Sequence, residues 1–456
     1  MADRFAIILA AGKGTRMKSP RPKVLHEIGG RPMLAWSVAL AHALGCKRSV
    51  VVVGPDMPAL SEAAAKLVGA ANVVVQREQL GTANAVDAAR DALAGVEGQA
   101  IVLYADTPLV PKEAGERAFA EIEKGAGVCV LGFKAKLPNR YGRLVTTGDG
   151  SLEAIVEAND ASEEQLGIEL ANSGVMAAPV RLMFDLLKDV KNDNAKGEYY
   201  LTDLVGLARG RGLKAAVAHC EERDVLGVNS QAELAGIEHI FQQAMREKLM
   251  ADGVTMPAPE TVYFSHDTKI AAGVTIEPNV VFATGVSVAS GAVIRAFSHL
   301  EGAKVGEGAL VGPYARLRPG AIIGKDAHIG NFVEVKNVTV GEGAKANHLS
   351  YLGDGEIGAG ANIGAGTIFC NYDGFFKYRT VVGEGAFVGS NSSLVAPVTI
   401  GAGGYVGSGS VIVEDVPEDA LAIARGRQAG KDGWAKTFRA EKSAAKKAGK
   451  KPDGAI

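Results

Sequence analysis

A hydrophobic residue recurs at every sixth position through much of the second half of this 456-residue chain. The register runs from Ile270 to Leu300, continues after a five-residue step from Val305 to Val335, and resumes from Val382 to Ile412. In a parallel β-helix, one such residue per short strand fills a narrow interior, and small residues form the corners. The 58 glycines and the 6% aromatic content agree with that fold, whereas glycine does not recur at every third position as in collagen. The pattern therefore predicts a parallel β-helix.

The repeat is interrupted at length by "CNYDGFFKYRT", residues 370–380. An insertion of this kind must leave the β-helix as a loop, and such loops often form the binding face of a solenoid. The alternative is a surface loop without a role.

The first half has a different pattern, in which apolar strand-like segments alternate with helical ones. This alternation predicts an α/β domain with a mainly parallel sheet, whose ligands gather at the carboxyl ends of the strands. The segments are "FAIILAA" at 5–11, a helix over Met33–Leu44, "SVVVVG" at 49–54, "ANVVVQ" at 71–76, a helix over Ala83–Leu93, and "AIVLYAD" at 100–106.

The first strand leads into a glycine loop, "GKGTRM" at 12–17, which is typical of phosphate binding through backbone N–H groups. It is not a P-loop, because Lys13 is followed by Gly14 rather than by serine or threonine. It is not a dinucleotide fingerprint either, because Met17 stands where the third glycine is needed.

Charge and cysteine content narrow the class of partner. The 49 basic and 51 acidic residues give a formal net charge of -2, which predicts small-molecule partners rather than nucleic acid or a membrane surface. The four cysteines form no C-x-x-C pair, which argues against zinc and a disulfide framework and favours a reducing cytoplasm. We also expect neither a membrane helix nor a signal sequence.

Between the two halves, Ser230 and Glu233 match a helix capping box, and Leu234, Ile237, Phe241 and Ala244 follow at helical spacing. We therefore predict three parts: an α/β domain over 1–229, a linker helix over 230–252, and a repeat domain over 253–456.

At this point the sequence resembles the family of bifunctional N-acetylglucosamine-1-phosphate uridyltransferases and glucosamine-1-phosphate N-acetyltransferases. The resemblance runs nearly end to end and implies a Rossmann-like nucleotidyltransferase domain followed by a left-handed β-helix that assembles as a homotrimer in the cytoplasm. It also implies synthesis of UDP-N-acetylglucosamine for cell-wall precursors from UTP, acetyl-CoA and glucosamine 1-phosphate. The matching segments include "LAAGKGTRM", "QREQLGTANA", "YGR", "GEYYLTDLV", "RLRPG", "NHLSYLGDGEIG" and "NIGAGTIFCNYDG".

For the first half, the resemblance implies a nucleotide site, with Arg16 and Lys23 balancing the charge of the leaving pyrophosphate. Asp106 and Asn229 are the implied protein contacts of Mg²⁺, a cation that prefers oxygen ligands. The implied contacts to UTP and to the N-acetyl sugar are Leu9, Ala10, Ala11, Gly12, Lys23, Gln76, Gly81, Thr82, Tyr104, Ala105, Asp106, Gly142, Glu157, Asn172 and Asn229.

Several positions depart from the family pattern. Ala105 replaces a glycine, and we expect its methyl group to crowd the nucleotide. Ala83 and Asn84 replace Gly-His, and Asn159 replaces a lysine. These changes bear on affinity and detailed contacts rather than on the class of reaction.

For the second half, acetyl transfer needs a base for the sugar amine. Histidine, whose unperturbed pKa is ~6.5, suits that role. The resemblance implies His348 as this base. Arg318, Lys336, Tyr351 and Asn362 are implied contacts to glucosamine phosphate. The implied contacts to acetyl-CoA are Ala365, Asn371, Tyr372, Ser390, Ser408 and Arg425.

Three questions stay open from the sequence. The basic tail, which includes Lys450 and Lys451, is either disordered over the last fifteen residues or acts near the coenzyme phosphates. The chain could be a sugar nucleotidyltransferase with a single activity, whose β-helix serves only in assembly or regulation. It could also be a non-catalytic scaffold, although the motif residues present in both halves disfavour these two alternatives.

Overall fold

The computed structural model describes residues 2–194 and 196–449. The chain divides into two compact units, one up to Ser287 and one from Val288 onward. This division falls beyond residue 252 because residues 253–287 pack on the long helix Gln231–Ala251. For example, the Gln242 amide donates to the Phe264 carbonyl at 2.7 Å and accepts from the Phe264 N–H at 2.8 Å. That residues 1–229, 230–252 and 253–456 act as functional domains stays a prediction.

Eight helices and eleven strands precede the repeat region in the described part of the chain. The helices are α1 Met33–Ala43, α2 Pro58–Val68, α3 Thr82–Asp87, α4 Lys112–Glu123, α5 Glu163–Leu166, α6 Val180–Leu187, α7 Asp203–Gly210 and α8 Gln231–Ala251. The strands are β1 Arg4–Leu9, β2 Glu27–Ile28, β3 Arg31–Pro32, β4 Arg48–Val53, β5 Val73–Val75, β6 Gln99–Tyr104, β7 Val128–Lys134, β8 Arg143–Thr146, β9 Leu152–Val156, β10 Leu170–Pro179 and β11 Ala215–Cys220.

The main sheet of the first unit has the strand order β11-β7-β10-β6-β1-β4-β5. Its central pairs are parallel, as the alternating pattern predicted, and β10 is antiparallel to both β6 and β7. The parallel strands β1 and β6 end side by side, since Leu9 pairs with Tyr104. Residues that follow these two strands are therefore neighbours at one edge of the sheet.

Helices cover both faces of this sheet because successive side chains of a strand point to opposite faces. Along β1, Ala6 and Ile8 belong to one buried cluster, which also contains residues of α1 and α4. Phe5 and Ile7 belong to a second cluster with residues of α3, α6 and α7. Burial on both faces explains why β1 is apolar throughout instead of alternating with polar residues.

The helix predicted over Ala83–Leu93 is shorter than expected. Helix α3 ends at Asp87, and a separate 3₁₀ turn covers Asp91–Leu93. Between them, the Arg90 side chain donates to the Asp87 carboxylate and to the Phe184 carbonyl, each at 2.9 Å. These contacts accompany the break, and helical spacing alone does not reveal them.

Helix α8 lies where the capping signal predicted a helix, but its cap differs from a capping box. The Ser230 hydroxyl accepts from the Glu233 N–H at 3.3 Å as expected. The Glu233 carboxylate instead accepts from the N–H of Asn229 at 2.6 Å, one residue before the cap. Ala244 is exposed, and Leu249 instead continues the buried face of the helix. The second half of the capping-box prediction was therefore wrong.

The repeat region is built from very short strands. They are β12 Lys269–Ile270, β13 Thr275–Ile276, β14 Val281–Phe282, β15 Ser287–Val288, β16 Val293–Ile294, β17 His299–Leu300, β18 Lys304–Val305, β19 Leu310–Val311, β20 Arg316–Leu317, β21 Ile322–Ile323, β22 His328–Asn331, β23 Glu334–Val340, β24 Lys345–His348, β25 Tyr351–Ile357, β26 Asn362–Ile363, β27 Ile368–Cys370, β28 Thr380–Val382, β29 Phe387–Val388, β30 Ser393–Val395, β31 Val398–Ile400, β32 Tyr405–Val406, β33 Val411–Ile412 and β34 Leu421–Ala422.

In the second unit these strands stack in parallel, coil upon coil. Val293 of β16 pairs with Leu310 of β19, which in turn pairs with His328 of β22, so each coil takes 17 or 18 residues. Three hexapeptide sides account for one turn of the coil, and the five-residue steps in the sequence shorten some turns by one residue. The inward residues, such as Val335 and Ile363, are buried. This is the parallel β-helix that the spacing predicted.

The insertion at 370–380 leaves the stack between β27 and β28, as predicted for a loop. Past the last coil, helix α9, Trp434–Lys447, is mostly exposed. Disorder over the last fifteen residues was therefore wrong for Lys442–Lys447, which are helical. Lys450 and Lys451 lie outside the described residues. No helix in the described ranges combines the length and apolar character needed to cross a membrane.

Candidate functional site

A cavity of about 350 Å³ lies in the first unit where β1 and β6 end. Its position agrees with the rule that open parallel sheets bind ligands at the carboxyl ends of their strands. The cavity brings together residues from five separate segments of the sequence. Its lining residues are Leu9, Ala10, Ala11, Gly12, Lys13, Lys23, Val24, Gln76, Gln79, Gly81, Thr82, Ala85, Tyr104, Asp106 and Glu198.

Lys23 lines this cavity and contacts two other predicted site residues, Asp106 and Asn229. Its ammonium Nζ lies 2.5 Å from the Asp106 carboxylate and 3.2 Å from the Asn229 amide oxygen. The backbone holds the same partners together, because the Val228 N–H donates to the Asp106 carbonyl at 2.9 Å. Asp106 and Asn229, which are far apart in the sequence, therefore share the Lys23 ammonium as a partner.

The same two oxygen atoms provide a test of the expected magnesium site. The Asp106 carboxylate and the Asn229 amide oxygen are close to each other, because both accept from the Lys23 ammonium, and both are ligand types that Mg²⁺ accepts. No cluster of three or more His, Cys, Asp or Glu suited to a metal occurs among the described residues. Two protein oxygens supplemented by substrate oxygens and water fit Mg²⁺, which usually takes only one or two carboxylates. The residues present therefore fit the ion.

The glycine loop packs tightly on Lys23. Gly14 has a left-handed backbone with φ of 62°, and a Cβ there would lie 2.6 Å from the Cβ of Lys23. A side chain at position 14 would displace the lysine whose ammonium meets Asp106. Arg16 is exposed on the 3₁₀ turn Thr15–Met17 and is not among the residues that line the cavity.

Gln76, Gly81 and Thr82, which the resemblance assigns to uridine, lie together in the lining of the cavity. The Gln76 amide donates to the Gly81 carbonyl at 3.1 Å and to the Asn84 side chain at 2.8 Å. Asn84 therefore orients Gln76 directly. At Gly81, where φ is 119°, a Cβ would lie 2.5 Å from the Tyr199 carbonyl oxygen, so only glycine fits.

Gly142, Glu157 and Asn172, which the resemblance assigns to the N-acetyl sugar, also lie together. The Asn172 N–H donates to the Gly142 carbonyl at 2.8 Å. A Cβ placed on Gly142 would lie 3.5 Å from the Glu157 carboxylate and 3.6 Å from the Cβ of Asn172. Burial raises the pKa of the Glu157 carboxyl, and the positive charge of Lys196 opposes this effect. An acceptor in a half-buried setting of this kind suits hydroxyl or amide N–H groups of a sugar.

Tyr104 lies between the cavity and this second group. Burial raises the pKa of its hydroxyl, with smaller contributions from the negative charges of Asp106 and Glu157. The ring also fills the space beside Gly174, where a Cβ would lie 2.8 Å from it. Tyr104 therefore stays neutral.

Ala105 does not occupy the place expected for it. It is fully buried in the core cluster that includes Leu34 and Val38, and it does not line the cavity. The expected crowding of the nucleotide by its methyl group is therefore not supported. Ala83 is buried, and Asn159 is exposed.

In the second unit, His348 lies at the end of β24 beside Asn331 of β22. The imidazole Nδ1 is 2.7 Å from the Asn331 amide oxygen. An amide oxygen can only accept, so this contact places the proton on Nδ1 and leaves the lone pair of Nε2 free. A cavity of about 340 Å³ adjoins this pair.

His348 begins a row of predicted site residues along one corner of the β-helix, which we call the His348 ridge: His348, Ala365, Ser390 and Ser408. Backbone N–H groups of the next coil donate to the carbonyls of His348, Ala365 and Ser390. For example, the Gly366 N–H donates to the His348 carbonyl at 3.3 Å. The Arg425 guanidinium donates to the Ser408 carbonyl at 2.6 Å. Each ridge residue precedes a residue with left-handed backbone: Leu349, Gly366, Asn391 and Gly409.

The predicted phosphate contacts lie on an adjacent face. Arg318 forms an ion pair with Glu334 at 2.7 Å. Lys336 is close to Lys377 of the insertion, and this neighbouring cation is the main cause that lowers the pKa of Lys336. Adjacent cations repel one another unless an anion lies between them, so this group suits a phosphate. Asn362 lies on β26, paired with Lys345 of the strand that carries His348.

Asn371, at the start of the insertion, is buried, and hydrogen bonding to the preceding coil holds its side chain in place. Its amide donates to the Asp354 carboxylate at 2.6 Å, and Asp354 also accepts from Asn337 at 2.8 Å. A Cβ at Gly353 would lie 2.6 Å from the Tyr351 hydroxyl and 2.7 Å from the Asn371 amide nitrogen. The Tyr351 hydroxyl and the Asn371 amide therefore both lie close to Gly353, and a side chain at position 353 would clash with them.

His348 and Asn371 lie at different corners of the coil. His348 pairs with Asn331 before one corner, and Asn371 bonds to Asp354 at the next, where φ is 52°. Tyr372 is 60% exposed. One face of the β-helix therefore separates His348 from Asn371 and Tyr372 within one chain.

The motifs did not point to several residues that the geometry brings into these groups. Lys13 and Glu198 line the cavity, and both sit inside segments already matched to the family. Asn331 and Asp354 lie 17 residues from His348 and Asn371, respectively. That spacing is one coil, so the period of the repeat is the signal that could have identified them.

Comparison with known proteins supports both halves. Residues 6–175 match the family model described as a MobA-like NTP transferase domain, and residues 302–337 match the bacterial transferase hexapeptide model of six repeats. The "Bifunctional protein GlmU" of Caulobacter vibrioides is 60% identical over 97% of this chain and 96% of its own length. The protein of the same description from Hyphomonas neptunium is 61% identical over 98% and 97%. That from Maricaulis maris is 56% identical over 97% and 98%.

Proposed function

The chain belongs to the GlmU family of bifunctional proteins, and we propose that it makes UDP-N-acetylglucosamine in two steps at two separate sites. The first step acetylates glucosamine 1-phosphate with acetyl-CoA, and the second transfers uridylyl from UTP to the product with release of pyrophosphate. The observation that carries this proposal is the presence of two groups of candidate residues in different units, one around Lys23 and Asp106 and one around His348.

We assign His348 as the base of the acetyl transfer. With Nδ1–H donated to Asn331, Nε2 accepts a proton from the sugar ammonium, and the freed amine attacks the thioester carbonyl. The carbon–sulfur bond then breaks, and the coenzyme leaves as a thiol. Lys336 and Arg318 bind the sugar phosphate through charge-assisted hydrogen bonds, which hold the amine in place.

We place acetyl-CoA along the His348 ridge. Its members repeat at the spacing of the stacked coils, roughly 4.8 Å per step. An extended chain laid on this corner meets backbone and hydroxyl groups at each coil, with Arg425 at the far end for a phosphate. The family resemblance assigns the coenzyme to these residues.

We propose that the enzyme works as a homotrimer in the cytoplasm. Reacting atoms must approach to about 3–3.5 Å. Within one chain, His348 lies at a different corner from Asn371 and Tyr372, so a second copy that supplies one of these groups would complete the site. The four free cysteines are compatible with a reducing compartment.

In the uridylyl transfer, a phosphate oxygen of the sugar 1-phosphate attacks the α-phosphorus of UTP, and the bond to pyrophosphate breaks. This reaction depends mainly on positioning and charge neutralisation. Lys23 and Arg16 stabilise the negative charge of the leaving group, and Gln76, Gly81 and Thr82 hold the base. When bound at Asp106 and Asn229, Mg²⁺ supplies further positive charge next to the phosphates.

A coupled assay tests the proposal. Purified protein is incubated with glucosamine 1-phosphate, acetyl-CoA, UTP and Mg²⁺, and products are identified by mass spectrometry. We expect UDP-N-acetylglucosamine, pyrophosphate and free coenzyme A, with no nucleotide sugar when acetyl-CoA is omitted. A protein that uses added N-acetylglucosamine 1-phosphate but never acetylates glucosamine 1-phosphate would support the alternative with a single activity.

A further inference from the structure

Among the described side chains that are less than 2% exposed, Arg143 is the largest, and only 1% of its surface is accessible to solvent. Its guanidinium makes five hydrogen bonds in the described part of the chain, and all of them end on carbonyl or amide oxygens. No carboxylate is among these acceptors. Burying a cation without a counter-charge is unfavourable, so a structure retains it only where its donor geometry is needed.

The five bonds join two segments of the chain. One is the loop before β8, where Asn139 accepts through its side chain at 2.8 Å and its carbonyl at 3.2 Å, and Tyr141 accepts through its carbonyl. The other is the last residue of α5, Leu166, whose carbonyl lies 3.4 Å from two guanidinium nitrogens. A planar fork with five donors can span both segments, and the single ammonium of a lysine cannot.

The clamped loop ends at Gly142, next to Arg143 in the sequence. Arg143 pairs with Val156 of β9 and with Ala171 of β10, so Gly142 lies between Glu157 and Asn172. The Asn172 N–H already donates to Gly142 at 2.8 Å. Any shift of the loop therefore moves Gly142 relative to both polar side chains.

Resting on the proposed function, we infer that Arg143 is a positioning residue that sets the spacing of Gly142, Glu157 and Asn172 and thereby selects an N-acetylated sugar phosphate. Arg143 is buried beneath the site and acts through the backbone of the loop. Recognition of an acetamido group needs a donor and an acceptor at fixed separation, and a small displacement of a positioning element costs binding. The predicted UTP contacts Gln76, Gly81 and Thr82 line the cavity, whereas Gly142, Glu157 and Asn172 do not, so UTP binding does not depend on this spacing.

The test compares Arg143→Lys with Arg140→Lys, a change of the same kind at an exposed arginine of the same loop. Loss of charge-assisted hydrogen bonds predicts that Arg143→Lys raises KM for N-acetylglucosamine 1-phosphate by about 10-fold. We expect KM for UTP, and acetyl transfer at the other site, to be unchanged. Discrimination against glucose 1-phosphate, which lacks the acetamido group, should fall. Arg140→Lys should match the wild type in every measurement.

If Arg143 only stabilised the fold, the result would be different. Arg143→Lys would then leave less folded protein, which lowers the apparent kcat but leaves KM for both substrates unchanged. Unchanged KM and unchanged discrimination in folded Arg143→Lys would overturn the inference, as would an equal rise in KM for both substrates. If Arg143→Lys does not fold, Asn139→Ala removes one acceptor from the clamp and should shift the same KM in the same direction by a smaller factor. No shift there would also overturn it. A wild-type protein without uridylyl transfer would instead refute the proposed function.

Discussion

Removing the side chain that orients His348 should slow acetyl transfer without abolishing it. In Asn331→Ala, Nδ1 loses its acceptor at 2.7 Å, so the tautomer with a free Nε2 is no longer favoured. The net value of such a hydrogen bond is about 0.5–1.5 kcal/mol, which corresponds to a factor of about 2 to 13. Because the pair is exposed, water can replace the lost acceptor, and we expect the lower part of this range, about 2- to 5-fold.

The assay follows release of free thiol from acetyl-CoA at saturating glucosamine 1-phosphate, beside His348→Ala. Loss of a general base typically costs about 10²–10⁴-fold, so the two variants should differ by at least an order of magnitude. Asn331→Asp keeps an acceptor but adds negative charge, which favours the protonated imidazole and should move the acidic limb of the pH–rate profile to higher pH. The reasoning is refuted if Asn331→Ala is as inactive as His348→Ala, or if Asn331→Asp leaves the pH profile unchanged.

Four further predictions concern single residues. Asp106→Ala should abolish uridylyl transfer and spare acetyl transfer, since Lys23 and a bound cation lose their carboxylate; equal loss of both activities in folded protein would contradict this. Cys370→Ala should leave acetyl transfer nearly unchanged, and trapping of an acetylated Cys370 that acetylates added sugar would instead indicate a covalent route. Gly353→Ala should lower acetyl transfer by roughly 10-fold, because its methyl group overlaps the Tyr351 hydroxyl; wild-type activity would show that this contact is unimportant. Burial raises the pKa of Glu157, so its carboxylate becomes protonated as the pH falls, and KM for N-acetylglucosamine 1-phosphate should rise at low pH more in the wild type than in Glu157→Gln.

The hexapeptide register predicted the β-helix well because one inward residue per strand leaves a strict signal in the sequence. Val335 and Leu394, for example, are buried at the positions their spacing implies. The sequence did not reveal which corners carry polar partners. Asn331 and His348 become neighbours only because each coil stacks on the one before, and neither residue belongs to the hydrophobic repeat.

The first unit shows a different limit of sequence reasoning. The strand and the glycine loop were predictable because a short buried apolar run followed by glycines is typical of a strand that ends in a turn. Arg143 was not predicted to matter, since arginine is normally exposed and its burial depends on a loop and a short helix that close over it. Ala105 was expected at the nucleotide, but it follows the end of β6, and its side chain is buried in the same core cluster as Leu103.

The central claim is that one chain carries two catalytic sites that work independently. The most direct test mixes two variants, Asp106→Ala and His348→Ala, with glucosamine 1-phosphate, acetyl-CoA, UTP and Mg²⁺. We predict that neither variant alone makes UDP-N-acetylglucosamine, while the mixture makes it, because N-acetylglucosamine 1-phosphate released by the first variant is used by the second. A mixture that stays inactive although each variant retains its remaining single activity would contradict the account.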